Sequence, residues 1–311
     1  MSGVFLEAYL APFRPWLDRA DVSEILVNRA GEVWVEGALG MERHEAPVDD
    51  RLIQRLAEQV ARISAQGINR QSPLLGATLP DGARVQIVGP PATRSGWAMA
   101  IRRHRLVETP LEAWQPQGGL PLPTARLPPP DRADPVGWLR KAVAARATIL
   151  IAGGTSSGKT TFLNALLAQV PRGERVVLVE DAPEIRLTQP NALGLIAVRG
   201  GMGEAQVDAN DLLQAALRLR PDRIVLGELR GAEAVTFLRA VNTGHPGSFS
   251  TIHANSCSGA LEQLALMVMQ AGLGLSRADT LAYAAQVVDA VVYLERDSTG
   301  RRIADIAALK A

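Results

Sequence analysis

The segment GGTSSGKT, Gly153 to Thr160, decides how the second half of this chain folds. It matches the phosphate-binding pattern of a glycine, any four residues, a second glycine, a lysine, and a serine or threonine. The segment follows the apolar run Thr148 to Ala152 and opens Thr160 to Val170, where apolar residues recur at helical spacing. A strand, a small-residue turn and a helix start form the context that a phosphate-binding loop needs. An ordinary Gly/Ser turn before a helix is the weaker alternative.

The chemistry of this loop predicts ATP and Mg²⁺ as cofactors. Small residues allow backbone amides to wrap around phosphates, and the helix N-terminus adds positive potential. Lys159 is expected to contact the β- and γ-phosphates, and the Thr160 hydroxyl is expected to hold Mg²⁺. The predicted nucleotide-binding residues of the loop are Gly153, Gly154, Thr155, Ser156, Ser157, Gly158, Lys159, Thr160 and Thr161.

Beyond the loop, short apolar strands alternate with amphipathic helices. Expected strands are Arg175 to Glu180, Ile224 to Gly227 and Ser248 to Ile252, and expected helices are Asp208 to Arg218, Glu233 to Thr243 and Ala260 to Gln270. A final strand pair is expected in Val287 to Ala308, turning at Ser298 to Gly300. Apolar strands separated by such helices indicate an α/β fold with a parallel sheet covered on both faces.

The first half has shorter and more mixed elements, which predict a smaller α+β domain. Expected helices are Val4 to Leu17, interrupted near Pro12, and Asp50 to Ser64, and expected strands are Glu24 to Asn28, Val33 to Glu36, Arg84 to Val88 and Trp97 to Arg102. Asp81-Gly82 is expected to form a hairpin turn.

Prolines are dense between Thr109 and Pro135. Proline removes amide donors and fixes φ, so we expect an extended linker, with a long surface loop inside one domain as the alternative. The predicted organisation is an N-terminal α+β domain at 1–105, a Pro-rich linker at 106–141 and a nucleotide-binding α/β domain at 142–311.

Two predicted strands end in acidic residues: VVLVED ends at Glu180 and Asp181, and RIVLGE ends at Glu228. Hydrolysis needs carboxylates that hold the metal through water and activate the attacking water. The carboxyl ends of parallel strands meet at the edge where the phosphate loop lies, so Glu180 and Glu228 are placed to meet the nucleotide. A solvated charge or a helix cap is the alternative for each residue.

The segment GHPGSFSTIHANS, Gly244 to Ser256, contains two of the four histidines. A histidine can bind a phosphate or relay a change at the γ-phosphate, and we favour that function for His253. For His245 a structural role is equally favoured. A metal site is the rival, but the pair lacks Cys or carboxylate partners at ligand spacing.

Charge and composition indicate which classes of partner and which cellular compartment to expect. Lys and Arg number 33 against 32 Asp and Glu, so stable direct nucleic-acid binding is not expected, with a local basic stripe as the alternative. The single cysteine, Cys257, fits a reducing compartment. No signal peptide is evident and no apolar run approaches the roughly 18 residues of a membrane span. We therefore expect a cytoplasmic protein, unless a partner brings it to a membrane.

Four motifs occur in the order GGTSSGKTT, VEDAPEI, RLRPDRIVLGELRG and GHPGSFSTIHANS. Together they resemble the secretion ATPase superfamily of type II and type IV secretion and type IV pilus assembly. They are most similar to the traffic ATPases of type IV secretion, which also serve conjugal DNA transfer. The first half extends the resemblance in DVSEILVNRAGEVWVE, SPLLGATLPDGARVQIV and MAIRRH. The resemblance covers nearly the whole chain, and the Pro-rich connection matches less well.

The resemblance implies a homohexameric ring of two-domain subunits in which the N-terminal domain closes over a RecA-like ATPase domain. Glu180 and Asp181 fall in the acidic box, where a glutamate activates water. Glu228 falls in an atypical Walker B motif and would hold Mg²⁺ through water, and His253 falls in the His box. The general base stays open between Glu180 and Glu228, with Glu180 favoured. Expected partners are inner-membrane and other ATPase components of a secretion machine, with peripheral association at the inner face of the cytoplasmic membrane.

Two arginines of the first half are further candidates. Strand parity places Arg84 opposite Val85 and Ile87, and it places Arg102 opposite the face of Ile101. Both can face away from the N-terminal core, and the resemblance directs them towards the phosphates, where they would sense the γ-phosphate and drive domain closure. A solvated arginine on a sheet face is the alternative.

The sequence thus predicts an ATP-hydrolysing motor of a secretion, conjugation or pilus machine. A RecA-like nucleic-acid translocase is one rival, although the chain lacks an aromatic-rich basic groove. A nucleotide-gated assembly scaffold without multiple turnover is the other. The transported substrate (DNA, protein or pilin) is left open.

Overall fold

Two β-sheets, one in each half of the chain, organise the protein. The computed structural model describes residues 3–103, 110–116, 127–198 and 205–309. Within these residues the first half contains a six-stranded antiparallel sheet, and the second half contains a seven-stranded sheet that is parallel except for its last strand. The predicted combination of an α+β domain followed by a larger α/β domain is confirmed.

The N-terminal domain packs helices on one face of its sheet. Its helices are α1 (Gly3–Leu10), α2 (Arg14–Leu17) and α3 (Asp50–Ile63), and its strands are β1 (Glu24–Val27), β2 (Glu32–Gly37), β3 (Gly40–Glu45), β4 (Leu74–Thr78), β5 (Arg84–Val88) and β6 (Ala98–Arg102). A short 3₁₀ turn, Ala11–Phe13, separates α1 from α2 around Pro12, as predicted. The strand order is β3-β2-β1-β6-β5-β4.

Local sequence explains why α3 begins and packs where it does. The Asp49 side chain caps the helix by accepting a hydrogen bond from Leu52 N at 2.7 Å. Apolar residues at helical spacing, including Ile53, Leu56 and Val60, then bury one face of the helix in the core of the domain. The predicted turn at Asp81-Gly82 joins β4 to β5, with Gly82 at a φ of 87°.

Strands and helices alternate through most of the second half, as the sequence predicts. Its helices are α4 (Pro135–Ala144), α5 (Lys159–Leu167), α6 (Ala209–Ala216), α7 (Glu233–Asn242), α8 (Cys257–Gln270) and α9 (Arg277–Val287). Its strands are β7 (Ile149–Gly153), β8 (Val176–Glu180), β9 (Ala192–Ile196), β10 (Arg223–Leu229), β11 (Phe249–Ile252), β12 (Ala290–Asp297) and β13 (Gly300–Ala308). The strand order β13-β12-β7-β11-β10-β8-β9 puts the strand before the phosphate loop in the sheet interior.

Helix α4 occupies the end of the predicted Pro-rich linker. Asp134 caps it through a hydrogen bond from Gly137 N at 2.8 Å, and Pro135 takes the first helical position, where its missing amide costs nothing. Trp138 and Leu139 are buried in the core of the second half. The chain from about 135 onwards therefore packs with the second half, ahead of the predicted boundary at 141. Residues 106–109 and 117–126 of the predicted linker lie outside the described part of the chain.

The two halves share a hydrophobic cluster, which we call the interdomain core. It combines Leu26 and Ala98 of the first sheet with Leu193 and Leu219 of the second half. The loop before β6 also reaches the edge strand β9, because Thr93 bridges Leu195 in antiparallel fashion. Backbone hydrogen bonds join Arg94 N to Gly194 O and Ile196 N to Ala92 O, at 3.1 and 3.0 Å. The N-terminal domain thus extends the second sheet at its β9 edge.

A buried polar cluster lies at the same interface. Arg175 is fully buried, and its Nη1 donates to Asn28 Oδ1 at 2.7 Å and to the Asn191 side-chain oxygen. Its Nε donates to Leu219 O at 2.9 Å. Because the guanidinium has lost its water, its pKa falls to about 9.

Among the described residues, no helix has the length and apolar character needed to cross a membrane.

Candidate functional site

A cleft of about 630 Å³ lies at the carboxyl ends of the central strands. It brings together the phosphate loop, both predicted strand-end glutamates and His253. Its lining is Gly154, Thr155, Ser156, Gly158, Lys159, Thr160, Thr161, Glu180, Asp181, Ala182, Glu184, Ile185, Ala209, Leu226, Gly227, Glu228, Arg230, Thr251, His253 and Arg301. Gly153 and Ser157 complete the loop in sequence but are not among the residues that line the cleft.

The backbone of the phosphate loop needs small residues. Gly158 has a φ of 95° and immediately precedes the first residue of α5. A Cβ on Gly153 would lie 2.3 Å from Ser157 Oγ and 3.0 Å from Leu294 O, so a side chain does not fit there. Ser157 Oγ is buried and has no hydrogen-bond partner within the described chain. An unpaired buried hydroxyl in a glycine-rich loop at a helix N-terminus suits an anionic ligand.

Lys159 folds back onto the loop that presents it. Its Nζ donates to the carbonyl oxygens of Gly153 and Gly154, at 2.9 and 3.1 Å. Burial lowers the pKa of the ammonium, and the charge of Glu228 opposes that shift. An ammonium carries three donors, so one N–H is left for a ligand in the cleft. Exchange of the carbonyl contacts for phosphate oxygens would require rotation of this one side chain.

Glu180 is held by the N-terminal domain. Its carboxylate pairs with the Arg94 guanidinium and accepts hydrogen bonds from Glu184 N and Ile185 N, at 3.1 and 3.2 Å. The residue is 4% exposed. These contacts occupy both carboxylate oxygens, so the favoured candidate for general base is engaged in structural hydrogen bonds. Arg94 also donates to Ile185 O at 2.8 Å.

A second glutamate of the same motif, Glu184, is not among the residues that the sequence predicts for the site. It follows β8 by four residues, is exposed and lines the cleft. The motif VEDAPEI contains it, but the strand-end pattern predicts only Glu180 and Asp181. Because Glu184 lies in the turn after β8 and not at the last residue of the strand, its carboxylate is in the open part of the cleft.

Glu228 lies on the neighbouring strand β10 and pairs with Arg230. The same guanidinium donates to Asp181 Oδ2 at 2.9 Å, so it links the ends of β8 and β10. Within the described residues, no group of three or more His, Cys, Asp or Glu side chains is arranged to hold a metal ion.

The two histidines lie at opposite ends of strand β11. His253, after its carboxyl end, is exposed and lines the cleft. His245, before its amino end, donates from Nδ1 to Pro221 O at 3.0 Å. Burial lowers the pKa of His245. These contacts favour a structural role for His245.

The structure does not bring Arg84 and Arg102 to this cleft. The two residues lie directly opposite each other on β5 and β6, outside the N-terminal core as parity predicts. Arg102 pairs with the buried carboxylate of Glu24, and its charge contributes to the low pKa of His245. Arg102 thus lies towards the amino-terminal edge of the parallel sheet, away from the phosphate loop of its own chain.

Comparison with known proteins relates this architecture to a family. Residues 132–298 match the family model "Type II/IV secretion system protein". A type IV secretion system protein PtlH homologue of Bordetella bronchiseptica is 41% identical over 321 residues, covering 97% of this chain and 94% of that protein. Type IV secretion system protein VirB11 of Brucella suis is 37% identical over 319 residues, covering 96% and 88%.

Solved structures give the same relationship. The crystal structure of the VirB11 ATPase from the Brucella suis type IV secretion system, in complex with sulphate, superimposes with a TM-score of 0.89. The superposition covers 99% of this chain and 95% of that one, at 35% identity. The similarity includes both halves and extends beyond the segment matched by the family model.

Proposed function

This chain belongs to the type II/IV secretion system protein family and is an ATPase, and we propose that it works as the hexameric motor of a type IV secretion or conjugal transfer machine. The observation that carries the proposal is the cleft in which a phosphate loop meets carboxylates from two neighbouring strands. That combination provides both phosphate binding and water activation. Its partners would be further copies of itself and the inner-membrane and ATPase components of such a machine, with the chain at the cytoplasmic face of the membrane.

In this proposal the phosphate loop binds the triphosphate. Backbone amides of the loop and the N-terminus of α5 face the anionic ligand, and Lys159 contributes a mobile positive charge. Thr160 and Glu228 would hold Mg²⁺, which neutralises charge on the phosphates when bound. His253, which is exposed at the end of β11 and lines the cleft, would contact the terminal phosphate.

The general base is best assigned among the exposed carboxylates. Glu180 is engaged by Arg94 and two amides, whereas Glu184 is exposed in the cleft four residues later. A general base needs room to approach the attacking water and to take its proton. We therefore assign that role to Glu184 and give Glu180 the role of linking the cleft to the N-terminal domain.

The contact of Arg94 with the acidic motif would couple ATP hydrolysis in the cleft to movement of the N-terminal domain. Arg94 belongs to the loop that extends the ATPase sheet at β9, and it pairs with the acidic motif that lines the cleft. Movement of that motif during hydrolysis would alter the position of the N-terminal domain. Arg84 and Arg102, which do not line the cleft of their own chain, could reach a nucleotide from a neighbouring subunit of the ring.

Phosphate release tests the proposal. Lys159→Ala should lose turnover because the loop loses its phosphate-contacting cation, whereas Lys141→Ala, an exposed change on α4, should keep it. Normal turnover in Lys159→Ala would remove the loop from the mechanism. A single burst without further turnover in the wild type would favour the assembly scaffold, and strong stimulation by DNA would favour the translocase. Mass measurement with and without ATP tests the ring.

A further inference from the structure

Strand β13 carries an arginine, Arg301, whose side chain contacts the phosphate loop. Arg301 follows the turn between β12 and β13, and its Nε donates to Ser156 O at 3.2 Å. A Cβ built on Gly158 would lie 2.8 Å from Arg301 Cδ, so the stem of this side chain lies against the loop immediately before Lys159. Arg301 also lines the cleft. The residue lies beyond 298, where the match to the family model ends.

Among the described residues, no carboxylate neutralises the charge of this arginine. Arg296 is its direct cross-strand neighbour, and like charges at opposed positions of an antiparallel pair repel each other. In the described part of the chain, neither arginine forms an ion pair with a carboxylate. The next residue contrasts with them, since Arg302 pairs with Glu295 and lies 3.1 Å from Asp297 Oδ2. An unneutralised cation beside a phosphate loop favours an anionic ligand.

Sheet order indicates which part of a nucleotide Arg301 meets. The carboxylates of the cleft lie on or directly after β8 and β10, which are on one side of β7 in the sheet order. Strands β12 and β13, which carry Arg301, lie on the other side of β7. The terminal phosphate must approach the carboxylates for hydrolysis, so the nucleoside end of the ligand lies towards Arg301.

We propose that Arg301 binds the nucleotide at the end nearest the nucleoside, by pairing its guanidinium with the α-phosphate. This inference rests on the proposed ATP site and adds a residue to it. Because ADP and ATP both carry an α-phosphate, Arg301 contributes to the affinity for both nucleotides. The product therefore stays bound through a contact that does not depend on the γ-phosphate.

Calorimetric titration with ADP tests the contact. Arg301→Met keeps an apolar stem over Gly158 and removes the charge, and it should weaken ADP binding about tenfold, the value of one charge-assisted hydrogen bond. Arg301→Lys keeps the charge and should stay within about twofold of the wild type. Arg302→Met is the matched control, since its side chain pairs with acidic neighbours of the same hairpin, and it should bind ADP normally.

The outcomes separate this inference from the proposed site. Loss of ADP binding in Lys159→Ala together with unchanged affinity in Arg301→Met would overturn the role of Arg301 and keep the site. Unchanged affinity in Lys159→Ala would overturn the site itself. Equal weakening in Arg301→Met and Arg301→Lys would show that the charge is not what matters and would also overturn the inference. Thermal melting of each nucleotide-free variant checks that the loop and hairpin are still folded.

Discussion

Arg94 of the N-terminal domain and Glu180 at the end of β8 form an ion pair across the domain interface. Their side chains are 21% and 3% exposed, so the pair is largely shielded from water. Two backbone amides of the acidic motif complete the contacts of the carboxylate. One carboxylate thus couples the position of the N-terminal domain to the conformation of the segment that lines the cleft.

Removal of the arginine should destabilise the protein and loosen the acidic motif. We expect Arg94→Ala to lower the free energy of unfolding by about 1–3 kcal/mol, because a largely buried carboxylate loses its charged donor. A urea denaturation series measures this value. Glu180→Gln alone and the double variant complete a cycle whose coupling free energy should also be about 1–3 kcal/mol. A coupling energy near zero would contradict the importance of the pair.

A larger residue at Gly194, which packs against the Arg94 side chain, should also lower the free energy of unfolding. A Cβ on Gly194 would lie 2.5 Å from Arg94 Cδ, so Gly194→Ala should displace the arginine. Overpacking of this kind costs about 1–3 kcal/mol. Gly173→Ala is the control, because nothing lies within 4 Å of a Cβ at that position. Equal unfolding free energies in the two alanine variants would show that the Arg94 side chain moves aside without a loss of stability.

Neutralising either Glu184 or Glu228 in the cleft should slow hydrolysis without preventing ATP binding. Glu184→Gln should bind ATP and lower the turnover number by at least about 100-fold, the usual contribution of a general base. Glu228→Gln should also bind ATP and hydrolyse it poorly, since it weakens the support for Mg²⁺. Glu45→Gln, an exposed change on β3, serves as the control. Wild-type turnover in Glu184→Gln would return the assignment to the other two glutamates.

Stability should depend on pH through His245. Burial lowers the pKa of this histidine below its ordinary value of 6.5, so the unfolded chain takes up a proton at a higher pH than the folded protein. Its contribution is therefore present above pH 6.5 and is lost as the pH falls below that value. Unfolding free energies at pH 7.5 and 5.5 measure the slope. His245→Gln should flatten it, and an unchanged slope would assign the effect to other groups.

The sequence predicted the parts of the fold that depend on local pattern. The phosphate loop and its flanking strand and helix follow from neighbouring residues, and so does the hairpin turn at Asp81-Gly82. Strand β3, GMERHE, was not predicted because its charged residues show no apolar alternation, and pairing with β2 forms it. Helix α9 was missed because its sequence, RADTLAYAAQV, gives it little contrast between an apolar and a polar face.

The site was predicted less completely, because its missing members come from distant parts of the chain. Arg94 reaches Glu180 over 86 residues, and Arg301 reaches Ser156 over 145. Neither arginine belongs to a recognisable motif. The placement of Arg84 and Arg102 depends on how one sheet sits on the other, which strand parity cannot predict. The assignment of site residues therefore stays a set of predictions for mutagenesis.

The interdomain core also determines how the two halves of the chain unfold. Buried side chains of both sheets form one apolar cluster, so separation of the halves would expose hydrophobic surface on each. Separation would also uncover the hydrogen-bonding edge of β9, which an unrelated chain could pair with. The two halves should consequently melt in a single calorimetric transition, and the ATPase half expressed alone should aggregate.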